Sequence, residues 1–403
     1  MHKTRNTMKI KAFLYYLNDF PIIALIAILY SIHFFEATNL CSNEFLSSLF
    51  SRTDKFLRVF EIFIFFLYCY LYKIEKKYLL FAALFVFVFF IIKSFSYSHL
   101  SFHLFFIPLF LSQFVDKKRL CNILLIISVF YLCIIIIGNF FWDFQTEQFI
   151  RNGLVRYSLG FSHPNFLGFV VILISFFLIL RKEKFSLFDL FFISLSIVFL
   201  YYIPRSMTSV FLLTLLLCFL FCIYFYKSKI DAFFDNKRRK FLLLYVVVSI
   251  FLLTLFFTYF VAFTDFGKNI FLKMPGSIWA RFDLGRIAYE KYGLSLFGTP
   301  IESIFPDPSK NITEYFVVDC AYFYIPINYG VISFLLYLSM IFILFRKSSL
   351  NGDYIFVFAL MLILFYGVSE AYIFRPLIVP IFCCAFCPKK RVLSKANMVG
   401  TIK

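Results

Sequence analysis

Residues 156–180 read RYSLGFSHPNFLGFVVILISFFLIL and join a polar segment to a long apolar run. The apolar part, 166–180, has no charged residue and is typical of a membrane helix. The polar part, 156–165, carries a guanidinium, an imidazole, an amide and a Pro-Asn pair. Because lipid cannot satisfy such groups, they must face protein or water. The stretch therefore predicts a membrane helix with a site at its mouth.

The composition extends this prediction to the whole chain. Of the 403 residues, 62% are hydrophobic, and they form runs of membrane-spanning length. We expect an all-α polytopic membrane protein with about 12 transmembrane helices, and residues 1–403 forming a single membrane domain. The first run follows basic residues without a small-residue cleavage site after it, which indicates a retained helix and not a signal peptide. The runs are 13–35, 57–72, 78–92, 98–115, 120–142, 159–180, 186–203, 207–226, 241–263, 319–345, 353–371 and 373–388.

We attribute the net charge of +18 to basic residues that set the orientation of the protein in the membrane. We therefore expect no nucleic acid partner. One alternating set of connecting segments holds 26 of the 40 basic residues. The positive-inside rule places this set in the cytoplasm, next to anionic lipid. Both termini are then cytoplasmic, and segments 143–158 and 264–318 lie outside. Since long ordered loops often carry function, we expect 264–318 to be a large extracytoplasmic loop that contributes to a site.

This orientation places the unusual polar residues on the outer face or just below it. They cluster at helix ends and in the two outer segments, as expected for a site at the membrane surface. The candidates are Arg151, Arg156, His163, Asn165, Arg205, Arg281, Asp283, Arg286, Asp319, Tyr322, Glu370 and Arg375.

Several of these residues also have a structural interpretation. His163 precedes Pro164-Asn165 and could be a helix cap. Arg281 and Arg286 could form a solvated face of an amphipathic helix. Glu370 and Arg375 could pair with each other and hold a hairpin together.

Arginine-rich segments with a histidine favour chemistry on a phosphate-bearing lipid. Arginine binds phosphate oxygens bidentately and stays charged. Breaking a sugar–pyrophosphate bond requires charge stabilisation on the leaving group and a base or orienting acceptor for the attacking hydroxyl, for which histidine is suited. Because no acidic D-x-D cluster appears, we expect catalysis without a metal or cofactor. The absence of a Walker A motif argues against an ATP-driven pump.

Three blocks resemble the Wzy-type polysaccharide repeat-unit polymerases, which are similar to O-antigen ligases. The first is R-Y-S-L-G-F-S-H-P-N-F-L-G from Arg156. The second is Arg281-Phe282-Asp283-Leu284-Gly285-Arg286 with Leu296-Phe297-Gly298-Thr299-Pro300. The third is Asp319-Cys320-Ala321-Tyr322 with Tyr329-Gly330-Val331, and the three occur in the family's order.

The resemblance implies a membrane-embedded glycosyltransferase with a C-type fold in the bacterial cytoplasmic (inner) membrane. Such enzymes move a growing glycan from undecaprenyl pyrophosphate to a new lipid-linked repeat unit on the outer face. The resemblance assigns pyrophosphate binding to Arg156, Arg281 and Arg286, and orientation or deprotonation of the acceptor hydroxyl to His163. Asp319 and Tyr322 would order the loop or bind sugar. The expected partners are the lipid-linked oligosaccharide, the bilayer, a chain-length regulator and a flippase.

Three alternatives stay open at this point. An O-antigen-ligase-like transferase would move finished glycan to another acceptor. A flippase or transporter would place polar residues through the membrane midplane, and not at one face. A sugar-modifying acyltransferase would need a donor path from the cytoplasm, for which we expect no basic inner-face pocket.

Overall fold

The fold is known from a computed structural model that describes residues 2–42, 44–71, 103–141, 148–151, 153–182, 184–271, 277–304 and 316–387. This part of the chain is mainly helical. The helices are α1 (His2–Phe35), α2 (Glu44–Leu71), α3 (His103–Ser112), α4 (Lys117–Phe141), α5 (Pro164–Leu180), α6 (Leu187–Tyr202), α7 (Met207–Asp235), α8 (Lys237–Phe263), α9 (Asp265–Phe271), α10 (Ser277–Tyr292), α11 (Ala321–Asn328), α12 (Val331–Leu350), α13 (Tyr354–Ser369) and α14 (Val379–Phe386). Short 3-10 turns occupy Asn39–Ser42, Ala371–Phe374 and Pro376–Ile378.

Within the described residues, α4, α7, α8 and α12 are long and apolar enough to cross a membrane, and several shorter helices are also apolar. The α7 helix exposes large apolar side chains such as Phe211, and α8 exposes Leu253 and Phe256. Such faces suit contact with lipid tails, since a membrane protein has no need to hide them from water. The helix composition therefore supports an all-α, membrane-embedded protein.

The α5 helix lies at the centre of the bundle, because all of its residues are buried. Its apolar side chains surround the whole helix, as expected for one packed on every side. Pro164 occupies the first helical position, where its missing N–H costs no hydrogen bond. Gly168 lies one turn further, and a Cβ atom there would meet Ser206 and Ser209 of the neighbouring α7 entry. The start of α5 is therefore held tightly against the α6–α7 turn.

Three predicted segments differ from the structure. The apolar run 319–345 divides into α11 and α12, because Gly330 adopts a φ of +91° and the Leu296 carbonyl oxygen lies where a Cβ would be. The run 373–388 forms two 3-10 turns and the short α14, and the loop 264–318 contains α9 and α10. The run 78–92 lies outside the described residues.

The outer segment 143–158 contains a small antiparallel hairpin that the all-α prediction did not include. Strand β1 (Gln148–Arg151) pairs with β2 (Leu154–Tyr157), and Gly153 lies in the turn with a positive φ. The Tyr157 N–H donates to the Ile203 carbonyl, so β2 is tied to the α6–α7 turn. This contact brings Arg156 next to that turn.

The Gly-containing blocks of the sequence contact each other. The Val331 N–H donates to the Ser295 carbonyl, and the Thr299 N–H donates to the Ile327 carbonyl. Gly298 also has a positive φ, and a Cβ there would lie 2.3 Å from the Asn328 carbonyl oxygen. The break between α11 and α12 is therefore the docking place for the segment that follows α10.

Candidate functional site

Five polar side chains from five parts of the chain form one connected cluster, which we call the polar network: Arg156, Asn165, Arg281, Asp319 and Glu370. They come from β2, the first turn of α5, α10, the segment before α11 and the residue after α13. The α13 helix contacts α5, and α11 packs against both α10 and α13, which brings these parts of the chain together. The structure therefore brings together five of the residues that the sequence analysis singled out.

Glu370 is the centre of the polar network. Its Oε1 atom accepts hydrogen bonds from Asn165 Nδ2 at 2.6 Å and from Arg281 Nη2 at 2.7 Å. The Arg281 guanidinium also lies near a second carboxylate, with its Nε atom 3.7 Å from Asp319 Oδ2. Glu370 is 2% exposed and Arg281 is 8% exposed, whereas 31% of the Asp319 side chain is accessible. Asp319 is therefore the accessible carboxylate beside Arg281.

Arg156 is bound to the same cluster through Asn165. Its Nη2 atom donates to Asn165 Oδ1, and its Nε atom donates to the Pro204 carbonyl at 3.0 Å. The Asn165 carbonyl in turn accepts a hydrogen bond from Tyr366 Oη at 3.1 Å. Asn165 thus links the two guanidinium groups. Its side-chain oxygen accepts from Arg156, and its side-chain nitrogen donates to Glu370, which also binds Arg281.

Arg205 lies directly after Pro204 in the α6–α7 turn. Its φ of +49° is uncommon for a residue with a side chain and marks a strained turn. Its Nη1 atom is buried and has no hydrogen-bond partner among the residues that the structure describes. A buried guanidinium N–H without an acceptor is costly, so an anionic oxygen supplied by a ligand would be stabilised there.

The ionisation of Glu370 is strongly affected by its surroundings. Burial raises the pKa of Glu370 to about 8, while the nearby Arg281 and Arg156 oppose this rise. A carboxyl group with a pKa near neutrality is often found at functional sites, although buried ion pairs show the same behaviour. Protonation of Glu370 would leave the two guanidinium groups with Asp319 as the charged counter-ion in the network.

His163 acts as the N-cap of α5, as its structural interpretation predicts. Its Nδ1 atom accepts a hydrogen bond from the Asn165 N–H at 3.1 Å, and its ring packs edge-on against Phe149. Since Nδ1 is an acceptor here, the neutral ring carries its proton on Nε2. Nε2 is therefore the hydrogen-bond donor of the ring.

Arg286 and Asp283 lie outside the polar network. Arg286 forms salt bridges with Asp283 at 2.8 Å and with Glu290 at 2.7 Å, and the Asp283 hydrogen bond raises its pKa. Five residues of α-helix rotate by roughly 140°, so Arg281 and Arg286 point to different sides of α10. The solvated-face interpretation thus describes Arg286, whereas Arg281 faces the protein interior.

The remaining candidates occupy separate positions. Arg375 stacks over the rings of Phe166 and Tyr372 and forms no salt bridge with Glu370, so the predicted pair is not present among the described contacts. Tyr322 is fully buried and donates from its hydroxyl group to the Leu364 carbonyl at 2.6 Å, which is a packing role. The backbone of Arg151 pairs with Leu154 in the hairpin, and its side chain lies outside the described residues.

An apolar groove lies between α8, α10 and α11. It has a volume of about 280 Å³ and is lined by aromatic and aliphatic side chains, among them Tyr259, Phe263 and Phe323. Phe323 packs directly against Gly285, which is one turn from Arg281 on α10. The five residues of the polar network do not line the groove, so the groove and Arg281 have α10 in common but not a wall.

Two contributors to the network were not predicted. The Pro204 carbonyl and the Tyr366 hydroxyl both hold network side chains in place. The contact of a backbone carbonyl cannot be predicted from the residue type. Tyr366 lies within the apolar α13 helix, and the only indication of its role in the sequence is that it lies one turn before Glu370.

A large cavity lies at the opposite end of the helices, in segments that the positive-inside rule assigns to the inner face, where we expect no basic pocket. It has a volume of about 1110 Å³ and forms where the start of α4, the end of α5, the entry to α6, the middle of α7 and the α12–α13 turn meet. We call it the basic cavity. Its cationic side chains are Lys117, Lys118, Arg181, Lys182, Lys184 and Lys227. Their convergence cannot be predicted from the sequence, because they come from separate short segments that each resemble an ordinary positive-inside signal.

Among the described residues, no group of three or more His, Cys, Asp or Glu side chains could hold a metal ion. No family model, curated protein or solved structure matches the chain.

Proposed function

We propose that the protein is a glycan polymerase that transfers a growing chain from a lipid pyrophosphate to a new lipid-linked repeat unit. The observation that carries the proposal is the polar network, in which two largely buried arginines are held together at the end of the membrane helices. Arginine that is fixed by hydrogen bonds is ready to bind pyrophosphate without further ordering. We place this site on the extracytoplasmic side of the bacterial inner membrane, with both termini in the cytoplasm and about 12 spans.

Arg156 and Arg281 would bind the pyrophosphate of the donor lipid. The planar guanidinium of each arginine is held in place by the hydrogen bonds described above and presents N–H donors that suit phosphate oxygens. The Nη1 atom of Arg205 adds a buried donor near Arg156. Charge on the departing pyrophosphate would thus be stabilised from the side of β2 and from the side of α10.

The chemical step would break the bond between the donor sugar and pyrophosphate. A hydroxyl group of the acceptor sugar attacks the anomeric carbon, the sugar–oxygen bond breaks, and the bonding electrons leave with the pyrophosphate. Asp319 would accept the proton of the attacking hydroxyl group, because it is the accessible carboxylate beside Arg281. His163 would donate from Nε2 to a pyrophosphate oxygen, since its Nδ1 atom already accepts a hydrogen bond. Glu370 would position Arg281 and Asn165.

The apolar groove supports a lipid-linked substrate. Its aromatic lining on α8, α10 and α11 would bind a polyprenyl chain, whose pyrophosphate would then bind Arg281 near the start of α10. The groove would cover only part of the polyprenyl chain, and the remainder of the lipid would lie in the bilayer. A flippase and a chain-length regulator would then act before and alongside this enzyme.

A transporter accounts less well for the same helices. The α5 helix joins the polar network to the basic cavity, and residues 166–180 contain no ionisable group. A transport path along this helix would require polar groups near the midplane. The charged groups at its two ends therefore fit two separate sites better than one continuous path.

The decisive experiment compares two arginines of the same helix. In cells that lack the gene, we expect single lipid-linked repeat units to accumulate, and Arg281→Ala should reproduce this defect at normal protein levels. Arg286→Ala is the matched control and should restore long chains, because Arg286 pairs only with neighbours on the solvated face.

Other outcomes identify other functions. Long chains that remain on the lipid carrier would indicate a ligase, and substrate trapped on the cytoplasmic side would indicate a transporter. Normal long chains in the deletion strain would exclude a polymerase.

A further inference from the structure

The basic cavity holds more positive charge than its carboxylates neutralise. Its six cations face three carboxylates, Asp116, Asp231 and Asp353. Each carboxylate has a partner within the protein: Asp116 accepts from the Arg119 N–H, Asp231 accepts from Tyr354 Oη, and Asp353 binds Lys117 Nζ at 2.7 Å. The cavity therefore has an excess of positive charge.

Four cations of the basic cavity form no salt bridge with any described carboxylate: Lys118, Arg181, Lys184 and Lys227. Lys182 differs from them, because its Nζ atom binds Asp189 at the start of α6. Arg181 is held by a hydrogen bond from Nη1 to Asn122 Oδ1 at 3.2 Å. Its Nε atom is buried without a hydrogen-bond partner among the described residues. A fixed guanidinium with an unused buried donor requires an acceptor, and an anionic oxygen is the group that suits it.

The surroundings of these cations are apolar and face outward. Lys184 is followed by Leu187 and Phe188, which are 65% exposed, and Lys227 follows Phe225, which is 69% exposed. The connection before α6 and the last third of α7 therefore each carry a cation at the cavity, and exposed apolar side chains follow or precede it within three residues. A soluble anion would use the cations alone, whereas a phospholipid would use both features.

We propose that the basic cavity binds the phosphate headgroup of an anionic phospholipid, with its acyl chains against the exposed faces of α6 and α7. The volume of about 1110 Å³ is ample for a glycerophosphate headgroup with water. Arg181 and Lys227 bind the phosphate oxygens from the end of α5 and from α7. This site is independent of the pyrophosphate site, because it lies at the other end of α5.

The test uses the full-length protein, purified in a neutral detergent without phosphate. Lipid retention is measured by native mass spectrometry after addition of phosphatidylglycerol or phosphatidylcholine. We expect the wild type to retain about thirtyfold more phosphatidylglycerol, which is what two headgroup-binding cations contribute. The double variant Arg181→Gln/Lys227→Gln should lose this preference.

Two further variants control for charge and folding. Lys237→Gln/Arg238→Gln removes the same charge from exposed positions outside the cavity lining and should keep the preference. Arg181→Lys/Lys227→Arg conserves the charge and should also keep it. Equal loss of phosphatidylglycerol in both Gln pairs would overturn the proposal, since it would indicate surface charge alone.

A titration with inorganic pyrophosphate separates the lipid from a soluble phosphate ligand. At constant ionic strength, we expect pyrophosphate to leave the bound phosphatidylglycerol in place. If pyrophosphate instead displaces the bound phosphatidylglycerol from the wild type, the cavity binds a soluble anion and the lipid proposal is wrong.

Discussion

The two ends of α5 carry arginine in opposite electrostatic situations. At its start, Arg156 and Arg281 are bound by Asn165, Glu370 and Asp319 in a network that is largely buried. At its end, about 25 Å away by the rise of the helix, Arg181 and its lysine neighbours line an open cavity with few counter-ions. The first arrangement fixes the position of each group, and the second leaves charge for a ligand to neutralise. The two ends of α5 therefore differ in the groups that surround the basic residues, and not in whether basic residues are present.

The largest difference between the two ends should appear in stability when one charged group is removed. Glu370→Ala leaves Arg281 and Asn165 buried without their shared acceptor, and we expect a loss of about 3–5 kcal/mol in the free energy of unfolding. Lys227→Ala in the basic cavity should change it by less than about 0.5 kcal/mol, because this lysine has no salt bridge to lose. Thermal unfolding of both purified variants in the same detergent measures the difference.

Glu370→Gln is the control for this comparison. Its amide oxygen can still accept from Asn165 and Arg281, so it should be clearly more stable than Glu370→Ala. Similar Tm values for Glu370→Ala and Lys227→Ala would show that the polar network does not stabilise the fold.

A steric change should have the next largest effect, again at the start of α5. A Cβ atom on Gly168 would lie 2.5 Å from Ser209 Oγ and 2.9 Å from Ser206 Cβ. Gly168→Ala should therefore destabilise the protein by about 1–3 kcal/mol through overpacking. It should also displace the α6–α7 turn that binds Arg156.

Ser206→Gly offers a rescue of this overpacking, because it removes both the hydroxyl group and the Cβ atom that Gly168→Ala would meet. The double variant should recover part of the lost Tm in thermal unfolding. Additive losses in the double variant would mean that the two helices do not contact each other at this point.

The sequence predicts part of the fold and part of the network. Apolar runs identify α5, α7 and α8 because the membrane requires continuous apolar stretches. The positive-inside rule predicts one face for Arg156, Arg281 and Glu370, and these side chains do belong to one network. What the sequence does not show is which polar groups pair, since Glu370 binds Arg281 from α10 and not the nearby Arg375.

One wrong prediction has a definite physical cause. The continuously apolar run 319–345 predicts one helix, and only the contact between Gly330 and Leu296 shows the break. This break depends on tertiary packing, which overrides local composition. Within the segment 264–318, the structure adds α10, which separates Arg281 from Arg286.

The buried carboxyl group of the network should also make stability depend on pH. Burial raises the pKa of Glu370 from 4.5 to about 8, so between these values the folded protein holds a proton that the unfolded chain has released. Stability contributed by this proton is fully present below pH 4.5 and is lost as the pH rises towards 8. We expect the wild-type Tm to fall by several degrees over this range.

Glu370→Gln isolates this effect, because glutamine does not titrate. Its Tm should fall less than that of the wild type between the same two pH values. Parallel curves would indicate that Glu370 is already ionised throughout.

The smallest change in stability, and the sharpest test of the site, is expected at His163. Asparagine is a good N-cap, so His163→Asn should retain the hydrogen bond to the start of α5 and change the free energy of unfolding by less than about 0.5 kcal/mol. It lacks the Nε2 donor, however, and we expect chain formation to fall by roughly tenfold or more if that donor binds the pyrophosphate. Quantifying lipid-linked repeat units and long chains beside the Tm separates the two roles. A His163→Asn protein with full polymerisation would make His163 a helix cap only, and the chemistry would then rest on the arginines and Asp319.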